Sequence, residues 1–265
     1  MKAKEVYHQL LSFLPLADIK TVFDGYFNIP FDSLLLNEEK EIEDKKAVEA
    51  IEKLKQGYPA NYLAGYINIA GLHLFLNEDT LIPRTETEDF VLNILPTYVD
   101  LSNKAILDLC TGSGFIACAV KKRWPTAKVI ASDISDSALD CAKKSAFYNH
   151  LNITFLKSDF LKDIPDTFDV ILSNPPYIEE DSKEVEAPFE PRLALYSGKD
   201  GLDSYRAIFT LLDSHLNVSG RAYFEIESTN KEKTITLAKA MLPSYEMRIT
   251  NDLYNRPRYL EMKKA

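Results

Sequence analysis

No stretch of this chain approaches the roughly 18 consecutive apolar residues that a membrane-spanning helix requires. The opening segment, Met1 to Leu14, threads charged and polar residues through a helical pattern, where a secretion signal would have a compact apolar core. A cytoplasmic protein with no membrane partner is therefore expected. Cysteine is scarce: Cys110, Cys118 and Cys141 are the only three. They cannot all pair, and no two are spaced like a zinc knuckle or a redox Cys-x-x-Cys, so reduced, partly buried thiols are expected. The four histidines, His8, His73, His150 and His215, are scattered and give no support to a metal site. Positive charge is in deficit too, with 31 basic against 40 acidic residues, a net charge of −9 and no strong basic run. Such a chain repels a phosphate backbone, which counts against nucleic acid as the main substrate. Internal repeats and low-complexity tracts are also missing.

What is present suffices for a substantial core: 265 residues, 46% of them hydrophobic. Residues 1–65 show helical spacing and no convincing strand. Val6, Leu10, Leu11 and Leu14 form one apolar stripe and Ile42, Ala47, Val48, Ile51 and Leu54 another, with breaks at Pro15, Gly25 and Pro30. Asn37 to Lys55 reads as one helix with a solvated face. Residues 66–83 change to short strand-like segments around Gly71, which predicts a hairpin linking two domains. Thr85 or Thr87 is placed to cap a helix carrying Phe90, Val91, Ile94 and Leu95 before Pro96. From about Ala105 strands and helices alternate, which predicts an α/β domain over 84–265 with a mostly parallel sheet covered on both faces. The last two strand candidates, YEMRIT and RYLEMK, have no helix between them and predict an antiparallel hairpin at one edge.

Two places in this alternation carry chemistry. The first strand ends in Asp108-Leu109-Cys110-Thr111-Gly112-Ser113-Gly114 with a helix behind it, so glycines let the chain turn tightly and a ligand approach the main chain at the carboxyl edge of the sheet. Asp133 ends the next strand, where a carboxylate can accept hydrogen bonds from both hydroxyls of a ribose. Together they predict an adenosine-containing cofactor. They do not choose among such cofactors, because Gly112-x-Gly114-x-x-Ala117 also fits the loose dinucleotide fingerprint. Asp159-Phe160 follows the third strand, where an acid or an aromatic can meet an adenine, although a core phenylalanine would look the same.

The second place is Asn174-Pro175-Pro176-Tyr177, directly after the strand FDVIL. A Pro-Pro pair has no N–H to donate and cannot extend a sheet, so it fixes a rigid turn whose carbonyls stay available as acceptors. The Asn174 amide oxygen and the Pro175 carbonyl are expected each to accept one N–H from a substrate NH2 group. Such a nitrogen is a poor nucleophile, because its lone pair is delocalised. Acceptors aimed at its hydrogens raise its electron density, and fixed alignment with an electrophile supplies proximity. Pro176 and Tyr177 complete the predicted substrate pocket, with Tyr177 as an aromatic wall. This favours methyl transfer from S-adenosylmethionine to an amide or amine nitrogen.

At these residues the chain resembles the release-factor glutamine methyltransferases, the HemK family. The resemblance runs from about Ala60 onward and includes Leu81-Ile82-Pro83-Arg84-Thr85-Glu86-Thr87-Glu88, the glycine loop, Asp133, Ser173 to Ile178, Glu190 to Leu195 and Gly198 to Leu202. It implies a class I methyltransferase with a Rossmann-like sheet, a small N-terminal helical domain that helps hold the substrate protein, and S-adenosylmethionine as cofactor. It also implies methylation of the glutamine in the Gly-Gly-Gln loop of peptide-chain release factors. Cys110, Thr111, Gly112, Ser113, Gly114, Asp133, Phe160 and Asn174 match the family's cofactor positions, and Asn174, Pro175, Pro176 and Tyr177 its glutamine-binding motif. Arg84 and Glu86 to Glu88 match a segment near the site, but equally suit an ordinary helix start. The Glu190 to Leu195 and Gly198 to Leu202 segments read mainly as loop architecture. Two departures stand out. Cys110 replaces a frequent glycine, which requires a negative φ there, and Asn255-Arg256-Pro257-Arg258 leaves the local shape near the last strand open. A glutamine on a ribosomal protein and, less favoured, an adenine in nucleic acid are the alternative acceptors. A nucleotide-binding protein without catalytic activity is the alternative from outside the enzymes.

Overall fold

The computed structural model describes residues 1–36, 39–182 and 187–264. The chain divides into two units, Met1–Ile67 with Phe75–Glu78, and Asn68–Leu74 with Asp79–Ala265. The boundary runs through the expected hairpin, since β1 (Tyr66–Ile69) and β2 (Leu72–Phe75) each contribute residues to both units. The hairpin is therefore no separate linker. Its two turn residues, Ala70 and Gly71, both have positive φ (55° and 66°), the backbone twist that suits two-residue hairpin turns.

The smaller unit is helical. Helices α1 (Ala3–Leu11), α2 (Leu16–Thr21), α3 (Asp44–Lys55) and α4 (Ala60–Ala64) enclose one core in which Val6, Leu10, Ile19, Phe23, Ala47 and Ile51 are buried. Leu11 and Val48 fall off these stripes and are exposed. Helix α3 starts at Asp44 rather than Asn37; Asn37 and Glu38 lie outside the described residues, and Glu41 forms an isolated bridge with Lys2.

In the larger unit, α5 (Thr85–Asp89), a π-helical turn (Phe90–Ile94) and α6 (Leu95–Tyr98) form one run that passes Pro96. The wider spacing of the π turn has already displaced the usual ladder, so Pro96 sits in the first turn of a new segment, where its missing N–H costs little. Neither threonine caps α5: Arg84 holds the N-cap position without a side-chain cap, and Thr87 lies inside the helix.

The alternation then proceeds as expected through β3 (Ala105–Leu109), α7 (Phe115–Arg123), β4 (Lys128–Asp133), α8 (Asp136–Tyr148), β5 (Thr154–Lys157) and β6 (Phe168–Ser173). After them come α9 (Arg192–Leu195), α10 (Asp203–His215), β7 (Leu216–Glu225), α11 (Lys231–Met241), β8 (Glu246–Asn251) and β9 (Pro257–Lys263). The seven strands are ordered β5-β4-β3-β6-β7-β9-β8, the first five parallel and β9 inserted antiparallel between β7 and β8. This is the Rossmann-like class I methyltransferase arrangement. Residues of α10 and α11, including Tyr205, Ile208, Phe209 and Ala238, pack on Leu107, Ile171, Phe224 and Leu260 of the sheet as one core.

This topology locates the site. From β3 the chain builds outward through β4 and β5, then crosses back to β6 on the other side. The loops leaving β3 and β6 therefore diverge, and a crevice opens between them at the carboxyl edge. No helix among the described residues is long and apolar enough to cross a membrane.

Candidate active site

A cleft with about 1180 Å³ of empty space, its open mouth included, lies at this edge within the larger unit. Cys110, Thr111, Gly112 and Ser113 line it from the loop after β3, Asp133 from the end of β4, and Phe160 from the segment after β5. Asn174 and Pro176 line it from the turn after β6. Gly114, Pro175 and Tyr177 do not.

The glycine loop is held by side chains it does not itself supply. The buried Asp108 Oδ2 accepts from the Thr111 hydroxyl at 2.5 Å and from the Ala117 N–H at 2.9 Å, tying the turn to the start of α7. Asp108 Oδ1 is buried with no hydrogen-bond partner, and burial pushes the Asp108 carboxyl up to about 7. The Gly112 N–H donates to Asp133 Oδ2 at 2.9 Å and the Ser135 N–H to Oδ1 at 3.0 Å. Both carboxylate oxygens are thereby fixed in place, each with lone pairs to spare. The two glycines do different work. A Cβ on Gly112 would meet nothing within 4 Å, because that face opens on the cleft. A Cβ on Gly114 would lie 3.0 Å from the Cβ and 3.1 Å from the Cα of Ala142, so this glycine lets α7 pack against α8.

Cys110 overturns the expectation of a negative φ: its φ is 62°, the left-handed region that glycine adopts without strain. Burial pushes its thiol well above the ordinary range, which favours the protonated form. Phe160 is left-handed as well, at 52°, and its carbonyl is held by the Ser158 hydroxyl at 2.6 Å. Two non-glycine residues in this conformation on one cleft mark a backbone held against its own preference, a feature that concentrates at functional sites.

Asn174 is anchored from behind. Its Nδ2 donates to Thr87 Oγ1 at 3.4 Å, and the Thr87 hydroxyl donates to Glu225 Oε2 at 2.7 Å. Tyr177 is not the expected aromatic wall. Its ring packs on the main core and its hydroxyl donates to Glu225 Oε1 at 3.1 Å. Of the Asn-Pro-Pro-Tyr turn, Asn174 and Pro176 line the cleft.

The remaining walls come from segments read from sequence as helix start and loop. Pro83, Arg84 and Thr87 line the cleft on one side and Pro191, Leu193 and Ala194 on another. Arg84 Nη2 meets Glu190 Oε1 at 2.5 Å, joining the two segments, and Glu190 Oε2 accepts the Ile82 N–H at 3.3 Å. From sequence the Arg84 segment matches one near the family's site but equally suits a helix start, and the pairing of Arg84 with Glu190, 106 residues away, has no signal there beyond complementary charge. The open question at Asn255 to Arg258 is answered by a turn in which Asp252 Oδ1 accepts the Tyr254 and Arg256 N–H groups, both at 2.9 Å, while Arg256 reaches Glu86 at 3.1 Å.

Asp79, Asp133 and Asp159 line the cleft against the single cation Arg84, which Glu190 already pairs. A cationic ligand suits this balance better than a pyrophosphate does. Among the described residues no cluster of three His, Cys, Asp or Glu side chains could hold a metal ion.

The family model described as the methyltransferase small domain matches residues 86–190. The chain is 37% identical to the release factor glutamine methyltransferase of Streptococcus pneumoniae over 245 residues, 89% of this chain and 88% of the relative. It is 38% identical to that of Flavobacterium psychrophilum over 223 residues, 79% of this chain and 77% of the relative. Among solved structures, a methyltransferase from Pyrococcus furiosus aligns with a TM-score of 0.59 at 19% identity, covering 84% of this chain and all of that one, a likeness of fold.

Proposed function

This chain belongs to the release factor glutamine methyltransferases, and from its cleft we infer that it carries a methyl group from S-adenosylmethionine to the side-chain amide nitrogen of a glutamine in a peptide-chain release factor. The acceptor we assign is the glutamine of the Gly-Gly-Gln loop, and the place of action the cytoplasm. The observation that carries this reading is Asn174, set on the cleft wall with its NH2 tied inward to Thr87 and its oxygen left for a ligand.

The residues present fit the cofactor. Asp133, braced by two backbone N–H groups, would take the ribose hydroxyls, Gly112 leaves room for the ligand against the main chain, and Phe160 lines the same cleft for the base. When bound, S-adenosylmethionine supplies an electrophilic methyl group on a positively charged sulfur. The protein's own task is then to bind and orient the amide. Asn174 Oδ1 accepts one substrate N–H, which raises electron density on a nitrogen whose lone pair is delocalised and turns it toward the methyl group. No base is needed beforehand, since the nitrogen becomes acidic only as it is alkylated. Pro175 was expected to supply a second acceptor; it lies off the cleft wall, so the proposal rests on Asn174. We assign the smaller helical unit to holding the release factor.

The test offers methyl-labelled S-adenosylmethionine and purified protein a release factor, ribosomal proteins and DNA in parallel. Label on the release-factor glutamine alone is the expected result. Label in a ribosomal protein or in DNA overturns the assigned acceptor.

A further inference from the structure

An asparagine amide has two ends of nearly equal shape and opposite hydrogen-bonding character. A site that needs the oxygen must prevent the flip. Beside Asn174 lies a short chain of largely buried polar groups: Thr87, on the cleft wall, is 4% exposed and Glu225 5%. Two hydroxyls converge on the Glu225 carboxylate, Thr87 at Oε2 (2.7 Å) and Tyr177 at Oε1 (3.1 Å). The carboxylate is itself fixed by its backbone. Its residue pairs with Tyr259 of β9, and its carbonyl accepts the Tyr205 hydroxyl at 2.6 Å.

The polarity of this chain runs one way. The Thr87 hydroxyl donates its single hydrogen to Glu225 Oε2 at 2.7 Å, so that hydrogen is committed to the carboxyl group. Thr87 Oγ1 then has only lone pairs to offer in the other direction, toward Asn174 at 3.4 Å. The end of the Asn174 amide that faces Thr87 must be NH2. With the amide flipped, two acceptors would face each other, and the hydrogen bond between Asn174 and Thr87 would be lost. The oxygen is thereby turned away from Thr87 and left for the cleft.

We propose that Thr87 and Glu225 are positioning residues that fix the Asn174 amide with its oxygen toward the substrate. This rests on the reading of Asn174 as the acceptor for the substrate amide. Burial is the largest influence on the Glu225 carboxyl and holds it above its ordinary range, against the Thr87 hydroxyl, the Arg258 charge and the Tyr177 hydroxyl, which each lower it.

The test uses the full-length enzyme with a release factor as acceptor and compares Thr87→Val, Thr87→Ser, Glu225→Gln and Asn174→Ala. Thr87→Val keeps the shape and removes the hydroxyl. Its kcat should fall about tenfold, the equivalent of one hydrogen bond of about 1.4 kcal/mol, with cofactor affinity and melting temperature near the parent's. Thr87→Ser restores the hydroxyl and should recover kcat to within about threefold, a rescue that a packing role for the threonine methyl would not give. Glu225→Gln should also lower kcat, and adding it to Thr87→Val should cost little more, because both act through one hydroxyl. If Thr87→Val fails to fold, Thr87→Ala carries the same expectation. Parental kcat in Thr87→Val, or no recovery in Thr87→Ser, overturns the proposal; parental kcat in Glu225→Gln removes Glu225 from it. Asn174→Ala separates the two levels of inference. If it turns over normally, the reading of the site has failed, whereas an inactive Asn174→Ala beside an unaffected Thr87→Val sinks only the positioning chain.

Discussion

Alanine placed at Gly112 and at Gly114 should separate two kinds of damage that sequence alone would treat as one. Both residues have positive φ, 55° and 84°. Forcing an alanine into that region costs about 1–2 kcal/mol, and the stiffer unfolded chain returns about 0.4–1 kcal/mol. At Gly114 a clash is added, because the new Cβ would lie 3.0–3.1 Å from the Cβ and Cα of Ala142 on α8. Overpacking against a neighbouring helix adds about 1–3 kcal/mol. Gly114→Ala should therefore lose about 1–4 kcal/mol of stability in urea denaturation, while Gly112→Ala, with nothing within 4 Å of its Cβ, should lose about 1 kcal/mol. Calorimetric titration should show the reverse ranking. The Gly112→Ala methyl enters the cleft where the cofactor must approach the main chain, and its S-adenosylmethionine affinity should fall at least about tenfold, a cost of about 1.4 kcal/mol. Equal destabilisation of the two variants, or parental affinity in Gly112→Ala, would refute the division of labour assigned to this loop.

Asp133→Asn should weaken S-adenosylmethionine about tenfold or more in the same titration. Its NH2 must oppose one of the two backbone N–H groups now aimed at the carboxylate, and one charge-assisted bond is lost; unchanged affinity would remove Asp133 from the cofactor site. Asn174→Ala should fold and bind cofactor but methylate a release factor at least about a hundredfold more slowly, the scale of losing one preorganised hydrogen-bonding group, as read by mass spectrometry of the acceptor peptide. For Asp108, burial raises the folded-state carboxyl to about 7, above the unfolded value of about 3.9. The native state then keeps a proton that the unfolded chain releases. The stability contributed is full below about pH 4 and lost as pH rises toward about 7. Asp108→Asn mimics the protonated form, so its melting temperature relative to the parent should rise between pH 5 and pH 7.5; a constant difference across that range would mean Asp108 does not titrate there.

The legible part of this molecule is the part written in contiguous residues. The glycine loop, Asp133 and the Pro-Pro turn each announce a chemistry within a few positions, and alternation set the sheet that brings them to one edge. What the sequence hid depends on long-range closure or on backbone angles. Phe160 carries no mark of its left-handed conformation, and at Cys110 the one mark, that it replaces a frequent glycine, is read the wrong way, because the Thr111 and Ser158 hydrogen bonds that hold the surrounding turns become visible only when the turns exist. Arg84 reads equally as part of a segment near the site and as a helix start, and Glu190 reads as loop, until the two meet. Tyr177 reads from sequence as a wall of the substrate pocket because it continues the Asn-Pro-Pro turn, whereas its hydroxyl bonds Glu225 and its ring packs on the main core. Glu225 did leave a trace. In Ala222-Tyr223-Phe224-Glu225-Ile226 a carboxylate interrupts an apolar run of the kind that marks a strand covered on both faces, and Phe224 and Ile226 are indeed completely buried. A charge there cannot reach water and must find hydrogen-bond donors inside the protein. The run therefore requires inward-facing hydroxyls near the end of β7, and the molecule meets that requirement with Thr87 and Tyr177, one of which holds the residue on which the proposed chemistry depends.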